Sequence, residues 1–256
     1  MSHVRRDPIH VAGLLAVLVL ATSCARLGAD GGGGRFERFS FPVDGAERTA
    51  VMWVPAAYDA RDGDWPLVVF LHGLGERGDD ARRHVEVGLG RAIDADPSRF
   101  PCLVLMPQCP RDSIWVDVDE GWAREFASAE AHVDAAFEEA RRRYRVDEAR
   151  VALTGLSMGG FGTFMHGAHR TDRYRRMVAV CGGGHPEDAP ALARVPMWVL
   201  HGGADPVVPA SYSRRMVDAI RAAGGDVRYT EYEGVGHNSW DRAYGDPEVI
   251  RFLIED

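Results

Sequence analysis

Short apolar segments alternate with helix-like segments along most of the chain, and this alternation constrains the fold more than any other feature. The apolar segments include "PLVVFLHG", "CLVLMPQ", "ARVALTG", "RMVAVCGG" and "PMWVLHGG". Their length and β-branched composition are typical of buried strands. Because they are apolar throughout, both faces of their sheet should be covered, as in parallel sheets. The sequence therefore predicts a doubly wound, mostly parallel α/β sheet in one domain.

The remaining segments complete this prediction. "RFERFSF" and "RTAVMWVP", joined by a turn at Asp44-Gly45, predict an antiparallel N-terminal edge, and "DVRYTEYE" predicts the last strand. Predicted helices are "DDARRHVEVGLGRAI", "WAREFASAEAHVDAAFEEARRRY" (the longest), residues 158 to about 169, "SYSRRMVDAIRAAGG" and "DPEVIRFLIE". In such sheets, binding sites form at the carboxyl ends of the strands.

One strand-to-helix junction carries the pattern G-x-S-x-G, at Gly155-Leu156-Ser157-Met158-Gly159. A serine held in a strained, sharp turn is exposed as a nucleophile, and glycines two residues away avoid collisions with the crossing strand and helix. The alternative is a glycine-rich turn with an ordinary serine. The strand before the motif and the helix after it favour the nucleophile.

A serine nucleophile needs a base, and the base needs an orienting acid. Asp205 in "WVLHGGADPVVP" and His237 in "YEGVGHNSW" each follow a predicted strand, in the chain order serine, acid, histidine that the α/β-hydrolase fold requires. The predicted catalytic residues are Ser157, Asp205 and His237. His166 and His169, three residues apart, have no carboxylate or cysteine nearby in the sequence, so neither a metal nor a cofactor is predicted.

Acyl transfer also needs donors for the developing oxyanion. "FLHGLGERG" contains the end of the predicted strand "PLVVFLHG" and the loop after it, and its glycines let the backbone approach the site. The expected donors are the backbone N–H groups of Leu74 in this loop and of Met158, the residue after the nucleophile.

The motifs "LHGLGERGDD", "MPQCP", "LTGLSMGGFGTF", "CGGG", "HGGADPVVP" and "GHNSW" occur in this order. Together they resemble the α/β-hydrolase carboxylesterases related to the phospholipase/carboxylesterase and dienelactone hydrolase groups, most closely the branch often labelled "predicted peptidase". The resemblance covers residues 36–256. It implies the α/β-hydrolase fold and the same three catalytic residues. Dienelactone hydrolases carry a cysteine nucleophile, so the serine here favours ordinary ester hydrolysis.

Only 15 residues separate Cys181 from Met197, too few for a large cap domain over the site. An open cleft suits compact or polymer-attached esters. Gln108 and Trp115 are predicted to form one wall of this cleft, and Trp240 the other. Aromatic walls suit sugar rings or phenolic acyl groups; the alternative is that these tryptophans pack internally.

The N-terminal residues predict export. Arg5 and Arg6 precede the apolar segment 11–21, and "ATSC" follows, which is typical of a secretory signal. "LATSC" also resembles a lipoprotein signal, with Cys24 as the lipidated residue. The predicted organisation is a signal peptide at residues 1–23, a glycine-rich tether at 24–35 and a catalytic domain at 36–256. Plain secretion and an uncleaved N-terminal anchor are the alternatives.

The formal net charge of −8 argues against nucleic acid as a partner. The predicted function is an exported serine carboxylesterase acting on short-chain esters, or on phenolic or acetyl esters of saccharides. Membrane attachment is expected only through the N-terminal lipid. The alternatives are a peptidase of short peptides and a non-catalytic, carbohydrate-binding surface lipoprotein.

Overall fold

The structure is a computed structural model that describes residues 26–27, 33–118, 123 and 125–255. The predicted signal peptide, Cys24 and residues 25 and 28–32 of the predicted tether lie outside the described residues. No helix among the described residues is long and apolar enough to cross a membrane.

Eleven strands are present in the described residues. They are β1 Arg26–Leu27, β2 Arg35–Val43, β3 Ala46–Val54, β4 Trp65–Leu71, β5 Leu103–Pro107, β6 Ser113–Ile114, β7 Ala127–Ser128, β8 Val146–Leu156, β9 Arg176–Val180, β10 Met197–Gly202 and β11 Val227–Tyr232. Nine of them form one sheet in the order β1-β2-β3-β5-β4-β8-β9-β10-β11, and β6 pairs with β7 separately.

The sheet is antiparallel at its N-terminal edge and parallel elsewhere. β1, β2, β3 and β5 pair antiparallel, whereas β5, β4, β8, β9, β10 and β11 pair parallel. The predicted doubly wound sheet and its antiparallel edge are confirmed. The parallel strands all end at the same rim, which brings the segments that follow β4, β8, β10 and β11 together.

Helices cover both faces of the sheet. They are α1 Leu89–Ala95, α2 Glu130–Arg143, α3 Met158–His169, α4 Ala189–Leu192, α5 Ser211–Ala222, α6 Trp240–Gly245 and α7 Pro247–Ile254. Successive β4 residues face opposite cores, so Leu67 and Val69 contact the α2, α3 and α5 layer, whereas Val68 and Phe70 contact the α1, α6 and α7 layer. Only a 3₁₀ turn and the four-residue α4 separate β9 from β10, which confirms the absence of a large cap.

Two helices are shorter than predicted. α1 begins at Leu89 because Gly88 has φ +59°, a left-handed conformation that interrupts any helix before it. α2 begins at Glu130 because Ala127–Ser128 pairs with Ser113–Ile114 as a short strand. Helical periodicity in the sequence does not reveal either interruption.

Several histidines and three cysteines of this domain are buried. The histidines include His84 and His132. Cys102, Cys109 and Cys181 are free thiols, so no disulfide joins Cys109 to Cys181.

Candidate active site

Ser157 lies in the sharp turn between β8 and α3. Its backbone has φ 54° and ψ −117°, a conformation that side-chain-bearing residues rarely adopt. Such strain persists only where the surrounding structure enforces it, and it is typical of functional sites. Here the Ser157 N–H donates to Val180 O at 3.0 Å, which ties the turn to the neighbouring strand β9.

The flanking glycines are required because the backbones approach too closely for a side chain. A Cβ on Gly155 would lie 2.2 Å from Gly159 O, and a Cβ on Gly159 would lie 1.9 Å from Leu71 O. Both contacts are with backbone atoms that cannot rotate away. The G-x-S-x-G pattern is therefore explained by the crossing of β4, β8 and α3 rather than by turn preference alone.

The three predicted catalytic residues meet at the carboxyl rim of the sheet. Ser157 Oγ lies 2.9 Å from His237 Nε2, and His237 Nδ1 lies 2.7 Å from Asp205 Oδ2. Asp205 follows β10 and His237 follows β11, so each residue occupies the end of its own strand. With Nδ1 protonated and donating to the carboxylate, Nε2 is free to accept the serine proton.

Hydrogen bonds hold the Asp205 carboxylate on both oxygens. Oδ1 accepts the N–H groups of Val207 and Val208, at 2.8 and 2.9 Å, and Oδ2 faces His237. Burial raises the pKa of Asp205, but the bonds from His237 and these N–H groups outweigh burial and hold the pKa below its ordinary value. The acid is thus ionised and fixed in orientation.

His201 is a second imidazole against the same carboxylate, and the sequence analysis does not predict its position. Its Nε2 lies 2.8 Å from Val208 O and 3.3 Å from Asp205 Oδ2, and its Nδ1 lies 2.7 Å from Ser213 Oγ. Burial lowers the pKa of His201, so the ring is neutral. Because both neighbours of Nε2 are acceptors, Nε2 carries the proton. The signal in the sequence is "HGGAD", which puts His201 at the end of the strand that precedes Asp205.

The two predicted oxyanion donors flank Ser157. We call residues 72–76 the oxyanion loop. Leu74 begins a 3₁₀ turn and Met158 begins α3, and the first N–H groups of a helix have no partner within it. A Cβ on Gly73 would lie 3.7 Å from Ser157 Cβ, so the loop passes directly over the nucleophile.

Gln108 and Trp115 do not form a cleft wall, which corrects the prediction. Gln108 is buried, and its side-chain amide makes three hydrogen bonds. Its Oε1 accepts the Ala81 N–H at 2.7 Å, and its Nε2 donates to Glu76 O at 3.0 Å and to Asp80 Oδ1 at 2.9 Å. Trp115 is also buried. These contacts place Gln108 behind the oxyanion loop, where it fixes the loop's position.

Trp115 supports the same loop. Its indole Nε1 donates to His72 O at 2.9 Å, and its ring packs against the His72 imidazole with centroids 4.9 Å apart. Trp240, in contrast, lines the cleft and meets the His237 ring edge-on, with centroids 5.3 Å apart. Aromatic identity alone could not separate the buried tryptophan from the one on the wall.

A cavity of about 460 Å³ opens at Ser157. Its walls are mostly apolar, with aromatic rings and aliphatic side chains around the nucleophile. The lining residues are Gly73, Leu74, Gly75, Glu76, Leu156, Ser157, Met158, Phe161, Val207, Val208, Pro209, Tyr212, His237 and Trp240. This is the size and character of a small-molecule site.

One group of potential metal ligands occurs among the described residues. Cys181, Asp205 and His237 have ligand atoms within 4.8 Å of one another. Burial raises the pKa of Cys181 to about 12, so the thiol stays protonated, and both His237 nitrogens are already engaged. This donor set therefore does not fit a metal ion.

His166 and His169 have a carboxylate nearby in space, contrary to the expectation from the sequence. Glu130 Oε1 lies 3.4 Å from His166 Nδ1 and 2.8 Å from His169 Nδ1. α2 and α3 supply these residues, which are distant in sequence.

Comparisons with known proteins agree with this geometry. The model of the phospholipase/carboxylesterase family matches residues 106–252, more than half of the chain. A putative carboxymethylenebutenolidase of Methylorubrum extorquens is 32% identical over 43% of this chain and 41% of its own length. A thermostable esterase of known structure is 34% identical with a TM-score of 0.77, covering 85% of this chain and 62% of that one.

A ferulic acid esterase shares the fold at 17% identity, with a TM-score of 0.66 over 87% of this chain and 100% of its own. This chain thus spans about two fifths of the curated relative and under two thirds of the thermostable esterase. The family match includes Ser157, Asp205 and His237, the three residues that meet at the strand rim. The chain belongs to the phospholipase/carboxylesterase family of α/β-hydrolases.

Proposed function

We propose that this protein is a serine carboxylesterase in which Ser157, His237 and Asp205 form the catalytic triad. The observation that carries the proposal is the hydrogen-bond chain of 2.9 and 2.7 Å from Ser157 through His237 to Asp205, opening into an apolar cavity. Nucleophile, base and orienting acid are within bonding distance in the order that acyl transfer requires.

In this mechanism Ser157 Oγ attacks the ester carbonyl while His237 Nε2 takes its proton. The carbonyl oxygen becomes negative and is stabilised by the N–H groups of Leu74 and Met158. His237 then returns the proton to the departing alcohol, which leaves an acyl-serine. A water molecule, deprotonated by His237, attacks the acyl-serine and releases the acid and the free serine. Asp205 stabilises the His237 imidazolium during both the formation and the hydrolysis of the acyl-serine.

The substrates we propose are short-chain esters, or phenolic or acetyl esters carried on saccharides. The structure has no large cap between β9 and β10, so a bulky alcohol can extend out of the cleft. Phe161, Tyr212 and Trp240 supply aromatic walls that suit a flat acyl group or a sugar ring.

Steady-state kinetics on matched p-nitrophenyl acetate and acetyl p-nitroanilide test this function. We expect the ester to be cleaved far faster than the anilide, and Ser157→Ala to lose at least about 10³-fold in kcat. Ser239→Ala is the matched control, because it removes a nearby buried serine hydroxyl outside the triad. Substantial turnover by Ser157→Ala would refute the nucleophile, and a preference for the anilide would indicate a peptidase.

We also propose that the protein is exported and held at a membrane by a lipid on Cys24. The support is the basic, apolar and small-residue order of residues 5–24, followed by the glycines of the tether. Metabolic labelling with a palmitate analogue should mark the native chain but not Cys24→Ala. Labelling that persists in Cys24→Ala would refute the anchor.

A further inference from the structure

Among the described residues, the lining of the cavity at Ser157 contains one acidic side chain and no arginine or lysine. Apart from His237, Glu76 is the only side chain in its lining whose ordinary pKa lets it carry a charge near neutral pH, and the other lining residues are apolar or uncharged there. The whole chain contains no lysine, and none of its described arginines lines this cavity. Among the lining side chains, Glu76 is therefore the main source of any charge preference.

Glu76 lies close to the nucleophile. A Cβ on Gly73 would be 2.9 Å from Glu76 Oε2 on one side and 3.7 Å from Ser157 Cβ on the other. Glu76 Oε2 and Ser157 Cβ therefore lie less than about 7 Å apart. A substrate bound at Ser157 with a charged arm in this cavity would bring that charge within range of Glu76.

The Glu76 carboxylate is not neutralised within the described residues. No arginine there approaches it within ion-pair distance. The nearby Arg83 lies 3.8 Å from Asp80, and its charge lowers the pKa of Glu76 less than burial raises it. Half-burial raises the pKa of Glu76, while the N–H groups of Gly73 and of Glu76 itself hold the carboxylate in place. An unpaired, partly desolvated charge acts more strongly on its surroundings than a charge in bulk water.

We propose that Glu76 makes this cleft selective by charge, so that it disfavours esters bearing a carboxylate on the arm that enters the cavity and accepts neutral or ammonium-bearing esters. This inference rests on the proposed esterase function. If the proposal holds, lactones that carry a carboxymethylene group are poor substrates of this protein. Such lactones are the compounds to which the name of one relative refers.

Two series of esters test the proposal. One series varies the charge on the acyl arm of the ester, and the other varies the charge on its alcohol arm. The p-nitrophenyl esters of heptanoate, adipate (as the free monoacid) and 6-aminohexanoate place no charge, a negative charge or a positive charge on the acyl arm. The acetates of 4-hydroxybenzamide and 4-hydroxybenzoate place no charge or a negative charge on the alcohol arm. Each charged ester is compared by kcat/KM with its neutral partner, in low and high salt.

In at least one series, the native enzyme should discriminate against the anionic ester by on the order of tenfold, and salt should weaken this effect. Glu76→Gln keeps an acceptor for the loop N–H groups but removes the charge. It should therefore bring the anionic-to-neutral ratio of that series close to one. Glu86→Gln, an exposed glutamate outside the cavity, is the control with the same change in net charge and should leave every ratio unchanged.

The proposal is overturned if neither series shows discrimination in the native enzyme, or if Glu76→Gln leaves the ratios as they were. An equal change in Glu86→Gln would also overturn it, because it would assign the effect to overall charge. Failure to cleave even the neutral esters is a different result, since it refutes the proposed function itself.

Discussion

Mild acid is expected to destabilise this fold through two buried histidines, His72 at the start of the oxyanion loop and His84 beside it. His72 is fully buried; its Nδ1–H donates to Gly73 O at 2.7 Å and its Nε2 accepts the Cys109 N–H at 3.0 Å. Both nitrogens are therefore committed to one neutral tautomer. Burial lowers the pKa of His72 to about 3 and that of the neighbouring His84 to about 4.

The sign and size of the change in unfolding free energy with pH follow from proton linkage. Below pH ~6.5 the unfolded chain binds a proton at each histidine, whereas the folded chain does not until its lower pKa is reached. Stability is thus complete above pH ~6.5 and falls as the pH decreases. At pH 5.0 each histidine costs about 2 kcal/mol, or about 4 kcal/mol together. Carboxyl groups with a lowered pKa, such as Asp205, titrate below this window.

Urea unfolding at pH 7.5 and 5.0 measures this difference. The native protein should lose at least about 4 kcal/mol of unfolding free energy between the two pH values, because His132 and His201, whose pKa burial also lowers, add to the loss. His84→Gln retains a donor for Met106 O, the partner of His84 Nε2 at 3.1 Å, and should lose about 2 kcal/mol less than the native protein over the same interval. A loss below about 1 kcal/mol in the native protein, or equal losses in both proteins, would refute the reasoning.

Two substitutions test the packing and support of the triad. Gly159→Ala should cost at least about 3 kcal/mol by urea unfolding, since its Cβ would lie 1.9 Å from Leu71 O; a fully stable variant would contradict the close crossing. His201→Gln keeps a donor near Asp205 and should retain kcat/KM within a few-fold, whereas His201→Leu should lose about tenfold while remaining folded by thermal melting. Equal losses in the two His201 variants would assign this residue to packing alone.

Much of the fold could be predicted because its signals are local. Apolar strand segments, the Asp44-Gly45 turn and the short Cys181–Met197 interval each specify structure within a few residues of themselves. Asp205 and His237 could be placed on one rim because parallel strands end on the same side. The interruption of α1 at Gly88 and the β6–β7 pairing were missed, since a left-handed residue and a long-range strand pair leave no mark on helical periodicity.

The details of the site depend on tertiary contacts that a single sequence does not encode visibly. Trp115 and Trp240 both follow strand ends, yet only packing against His72 determines that Trp115 is buried. His201 precedes the acid in the chain, so the chain order of the triad does not point to it, although it lies against Asp205 in space. Glu76 was part of a recognised motif, but its unpaired charge is evident only from the arrangement of its neighbours.

The most direct test of the central claim is the site of covalent labelling by a fluorophosphonate probe. This reagent phosphonylates a serine only where a base has activated it. Mass spectrometry of the labelled, digested protein should find the adduct on Ser157 alone, and labelling should be strongly slowed in His237→Ala. An adduct on another serine, or no adduct on a folded sample, would contradict the assignment of Ser157 as an activated nucleophile.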